Sequence, residues 1–167
     1  MPLLRTRLQN RPETAQDFEI AAESRYWEGV ELSCAGRSYA AIYLLGYAAE
    51  IYLKLASLHL DGLRPTDPIK PRLPPARDWM SKYAPAVSPE SYHSLIFWST
   101  LLRVKRRWQG RPLDFSLEAG LTQRVRRIYG NWWVEMRYRH ETIAPRELQS
   151  AYDDVTWLRN HYFWLWR

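Results

Sequence analysis

Apolar residues recur at spacings of three and four over residues 14–35: Ala15, Phe18, Ala22, Tyr26, Val30 and Cys34, with acids between them. That period predicts an amphipathic helix whose stripe faces a core. Thr14 reads as its N-cap, Asp17 as the acid of the third helical position and Gly36 as its stop. Cys34 is expected to be a small buried hydrophobe. Residues 38–60 break this pattern, because "YAAIYLLGYAAEIYLKLASLHL" is apolar almost all the way round. Such a helix is predicted to be buried on every side. The short link at Gly36 makes it an antiparallel neighbour of the first helix.

Residues 61–78, "DGLRPTDPIKPRLPPARD", include five prolines and read as a loop of extended character. A short helix is expected over 76–83. A long helix is expected to open at Pro89 and Glu90 and to run to Trp108, with Leu95, Trp98, Leu102 and Val104 as core positions. Another covers 118–129 and ends at Gly130 and Asn131. A last helix begins at Pro145 and carries the stripe Leu148, Ala151, Tyr152, Val155, Leu158, Tyr162 and Leu165. No strand-like alternation and no internal repeat interrupts this order. The predicted class is all-α: one domain over residues 1–167, folded as an up-and-down bundle of four to five helices.

Composition supports a packed interior, since 46% of the 167 residues are hydrophobic. The single cysteine excludes a disulfide framework. The first residues are polar after Leu4, unlike a secretory signal. Glu50 and Lys54 interrupt the longest apolar run, which favours a buried helix over a membrane span. No membrane contact and a cytoplasmic location are therefore expected. The net charge of +6 is uneven. Residues 100–140 contain ten Arg and Lys against three Asp and Glu, a local +7, so the remainder sums to −1. Arg103, Lys105, Arg106, Arg107, Arg124 and Arg127 form a basic patch suited to phosphate, nucleic acid or an acidic partner. The alternative is a solvated basic surface.

His59, His93, His140 and His161 have no metal-ligand spacing, so no metal is expected and they read as surface or helix-cap residues. No phosphate-cradling glycine motif or nucleophile elbow is present, and no cofactor is expected. Two constellations remain. Glu50 and Lys54 lie four apart on a helix whose burial penalises both charges, so Glu50 needs a second partner. An arginine from another helix is the natural one, because guanidinium and carboxylate pair through two hydrogen bonds. The stretch "NWWVEMRYRHETIAP", residues 131–145, gathers Arg137, Tyr138, Arg139 and His140: donors, a stacking ring and an imidazole able to hold a phosphate or nucleotide. Alternatively it is a polar loop whose arginine satisfies Glu50, and on either reading a Glu50–Arg137 contact is expected.

These features together resemble the HEPN family (higher eukaryote and prokaryote nucleotide-binding domain). That family's second helix follows A-x-E-x-x-L-K, matched here by Ala48 or Ala49, Glu50, Leu53 and Lys54. Many members have an Arg-Tyr step before the last helix, matched by Arg137 and Tyr138. The resemblance spans about Thr14 to Trp164. It implies a small helical homodimer that binds a nucleotide or RNA, or a nucleotidyltransferase partner in toxin–antitoxin-type systems. It places ligand contacts at Glu50, Lys54, Arg137, Tyr138 and Arg139. Ribonuclease members are metal-independent and carry Arg, four to six residues, then His. This chain departs from that spacing, because His140 follows Arg137 by three residues and Arg139 by one. Binding is therefore expected ahead of catalysis by Arg137 and His140, and a purely structural dimerisation module is the third reading.

Overall fold

The computed structural model describes residues 12–85, 92–138 and 141–167. Six α-helices lie among them: α1 (Ala15–Cys34), α2 (Ser38–His59), α3 (Leu73–Tyr83), α4 (Leu95–Trp108), α5 (Phe115–Asn131) and α6 (Pro145–Trp166). Two 3-10 turns, Lys70–Arg72 and Val134–Tyr138, precede α3 and follow α5. No strand occurs among the described residues, only an isolated bridge between Thr14 and Pro68.

The ends of α1 follow local chemistry. Thr14 and Asp17 form a reciprocal capping box, and Gly36 takes the left-handed conformation with φ 71°. Helix α2 is the axle of the bundle, contacting α1, α4, α5, α6 and the second 3-10 turn. That surround explains its all-round apolar sequence. By length and composition α2 could cross a membrane, but 78% of its most apolar window is buried by its own neighbours. Ser57, wholly enclosed, donates to the Leu53 carbonyl at 2.7 Å and lies 3.0 Å from that of Trp98, tying α2 to α4.

Several expectations are corrected. Helix α3 begins at Leu73 rather than at 76, with Pro74 and Pro75 in its first turn, where no intrahelical N–H is needed. The proline-rich segment is a structured strap: Asp67 accepts from the Arg64 backbone at 3.2 Å and from Arg72 at 3.0 Å, and Ile69 is buried. Helix α4 starts at Leu95 behind the Ser94 cap, and the expected opening at 89–90 lies outside the described residues. Cys34 is exposed, because it occupies the last position of α1 beyond the reach of the core. With α3 included the helices number six rather than four to five, and α5 runs from Phe115 behind an Asp114 cap.

Candidate functional site

Glu50 and Lys54 lie on successive turns of α2 and form a buried ion pair. Glu50 is 2% exposed. Lys54 also lies 5.8 Å from the centre of the Trp98 ring, so its charge is met by a π face as well as a carboxylate. The second partner of Glu50 is His93, not an arginine. His93 Nδ1 stands 3.1 and 3.0 Å from the two Glu50 oxygens. A carboxylate only accepts, so the imidazole donates through Nδ1. The expected Glu50–Arg137 bond is absent: Arg137 makes no hydrogen bond or ion pair with Glu50, and its guanidinium lies 4.7 Å from the Tyr138 ring centre. The reason is register. His93 sits directly before the cap of α4 and reaches inward, whereas Arg137 lies on the exposed 3-10 turn.

Arg137 is nevertheless held beside the same group of residues. Trp132 inserts its indole against Gly46 so closely that a Cβ there would lie 2.2 Å from the ring. Its Nε1 donates to the Tyr43 carbonyl at 3.0 Å, and the Tyr39 hydroxyl donates to the Met136 carbonyl at 2.8 Å. These contacts clamp the segment bearing Arg137 and Tyr138 onto the first half of α2.

Tyr47 joins the two parts. Its ring meets His93 and Trp132 edge-on, with centroids 6.3 and 5.5 Å away. Burial pushes the Tyr47 phenol up from its ordinary 10, the Tyr43 hydroxyl and the Glu50 charge push further, and the Arg137 charge opposes them. The Tyr47 hydroxyl is thus neutral at neutral pH and keeps its proton for donation. Tyr138 is 75% exposed and presents an open ring. Imidazole, phenol, guanidinium and exposed ring together can bind an anionic oxygen beside a planar group. Arg139 and His140 lie outside the described residues.

The basic patch divides differently from its sequence. Arg124 and Arg127 converge on Asp154, which is wholly enclosed, with Arg124 Nη1 at 2.9 Å and Arg127 Nε at 2.8 Å. Arg107 pairs with Glu118, with Arg103 3.6 Å from the same oxygen, and Lys105 pairs with Asp61. Five of the six cations are therefore matched by carboxylates, and Arg106 has none. The solvated or phosphate-facing patch is largely a set of interhelical ties.

Sequence reasoning missed His93. The need for a second Glu50 partner was visible, but an imidazole one residue ahead of a helix cap has no periodicity to mark it. Among the described residues no group of three His, Cys, Asp or Glu side chains could hold a metal ion. No family model matches the chain, and neither a curated protein nor a solved structure matches it.

Proposed function

We propose that this chain is a HEPN-like helical module that binds RNA or a nucleotide at the residues grouped around Tyr47. One observation carries this reading: the Tyr47 ring meets both His93, the partner of buried Glu50, and Trp132, at the head of the segment that bears Arg137. A buried ion pair is a poor stabiliser compared with apolar packing. Retaining one on the most apolar helix, coupled to a half-exposed imidazole, fits a site that needs oriented polar groups. A phosphate would be met by Arg137, His93 and the Tyr47 hydroxyl, and a base would stack on Tyr138. Titration of a short labelled RNA and of nucleotides by fluorescence anisotropy, across a salt series, tests this. Binding should weaken with salt and fall about tenfold in Arg137→Ala and His93→Ala. Absence of binding at low ionic strength removes the reading.

The Glu50–His93 pair supports a second reading, a metal-independent endoribonuclease in which His93 acts rather than His140. The carboxylate orients the ring, and the imidazole takes the proton of a ribose 2′-hydroxyl as its oxygen attacks phosphorus. The 5′-oxygen leaves with a proton from solvent, giving a 2′,3′-cyclic phosphate. Arg137 would stabilise the charge that gathers on phosphorus. RNA cleavage in EDTA that His93→Ala abolishes and His140→Ala spares supports it. Cleavage by His93→Ala at the parent rate excludes it. Homodimerisation, a nucleotidyltransferase partner, a toxin–antitoxin-type role and a cytoplasmic location belong to the same proposal through the resemblance. Light scattering across a concentration series tests the dimer.

A further inference from the structure

A groove of about 610 Å³ opens where the end of α4, the start of α5 and the last turns of α6 meet. Its wall includes three arginines, Arg106, Arg124 and Arg167, against one acid, Asp114. That carboxylate is already engaged, because its Oδ1 accepts the Leu117 N–H at 2.9 Å as the cap of α5. The volume suits a ligand of mononucleotide size.

Arg106 is the unusual member. It is 8% exposed, and its Nε and Nη1 are enclosed with no hydrogen-bond partner. No carboxylate pairs with it, whereas buried Lys54 and Lys105 each have one. Burial, reinforced by the nearby Arg111 charge, lowers its pKa, yet a guanidinium remains cationic at any working pH. A buried cation without an anion is among the costliest arrangements in a fold. Arg124 repeats the pattern in part. Its Nη1 is engaged by Asp154, but its Nε is enclosed and unmatched. Its guanidinium stands 5.0 Å from the Trp157 ring centre, and His161 stacks on that ring at 4.1 Å, so the cation and the wall are held in place. Ser116 brings the first turn of α5, with its outward N–H groups and positive dipole end, into the same wall.

We infer that this groove is an oxyanion site that takes the phosphate of a small phosphorylated ligand, a nucleoside monophosphate, with Arg106 as its principal donor. Trp164, exposed at the rim, supplies a ring against which the base lies. The site is separate from the group around Tyr47. Tyr47 and His59 are twelve residues apart on α2, about 18 Å along the helix, and His59 stacks on Trp166 at the far end. Its occupancy does not depend on the function proposed above.

The full chain is titrated with inorganic phosphate, adenosine 5′-monophosphate and adenosine at low ionic strength, following tryptophan fluorescence and calorimetry. Phosphate and the monophosphate should saturate, and adenosine should bind about tenfold more weakly or worse. Monophosphate binding tighter than phosphate identifies the nucleotide as the ligand; equal binding identifies the free oxyanion. Arg106→Met should weaken both anions about tenfold or more while melting no lower than the parent, since it removes a buried unpaired charge. Arg106→Lys, which retains charge but not the fork, should fall between the two. Adenosine equal to its monophosphate, no saturation by either anion, or unchanged affinity in Arg106→Met overturns the inference. RNA binding that fails while phosphate binding persists removes only the Tyr47 reading.

Discussion

His93 Nδ1 lies 3.0 Å from Glu50 Oε2, and this bond links the interior of the bundle to its surface. Glu50 is enclosed on α2 beside Lys54, while the His93 side chain retains 40% of its accessible area. The pair shows how a charged couple persists in the most apolar helix. Each formal charge has an opposite neighbour, and the carboxylate has two donors rather than one.

Removing one member alone should be costly. Glu50→Ala leaves the Lys54 ammonium enclosed without its carboxylate and should lower stability by about 3–5 kcal/mol. The double replacement Glu50→Leu with Lys54→Met should recover most of that loss, since buried ion pairs are often replaceable by apolar groups. Urea midpoints of the three chains check both statements. A double variant that folds normally but loses RNA affinity assigns the pair to the site rather than to stability.

Gly46 is a second point of leverage. A Cβ there would meet the Trp132 ring at 2.2 Å, well inside contact distance. Gly46→Ala should therefore displace the indole and destabilise the fold by about 1–3 kcal/mol, the usual cost of overpacking. Displacement also breaks the Trp132 bond to the Tyr43 carbonyl and loosens the turn bearing Arg137. Thermal melting should fall, with RNA affinity falling alongside it under the proposed function, and a variant as stable as the parent contradicts the packing account.

Asp154 holds α6 to α5 through Arg124 and Arg127. The hydrogen bonds that Arg127 donates to Asp154 raise its pKa against the opposing effect of burial. Asp154→Asn keeps the shape but removes the charge that both guanidiniums face, and should cost about 2–3 kcal/mol. The loss, read from urea unfolding, should shrink little in high salt, because Asp154 is wholly enclosed.

His59 gives a pH signature. Burial lowers its pKa from the ordinary 6.5, against the Leu63 carbonyl and the Glu19 charge. The unfolded chain therefore takes up the proton first. Stability contributed by this group is intact above pH 6.5 and declines as pH falls through that value. His59→Leu should flatten the urea midpoint between about pH 8 and about pH 5.5 relative to the parent. An unchanged slope assigns the pH dependence elsewhere.

Helix positions were largely legible before any coordinates. The Thr14–Asp17 box, the Gly36 stop and the Pro145 start are local signals, satisfied within a few residues of chain. Leu95, Trp98 and Leu102 are buried as their spacing requires, while Val104 is only partly so. The proline strap was misread because proline restrains a helix interior but not its first turn, and Leu73 to Pro75 form a first turn.

By itself, the sequence determined the all-helical class, most helix bounds, the burial of α2 and the need of Glu50 for a second partner. Those follow from periodicity, capping and the energetic penalty on buried charge, which are written in residues close together along the chain. Only the tertiary structure decided that His93 is that partner, that five of six patch cations are already neutralised, and that Arg106 lines a groove without a carboxylate of its own. The contacts join side chains 11 to 44 residues apart in sequence, and charge alone does not say whom it will face.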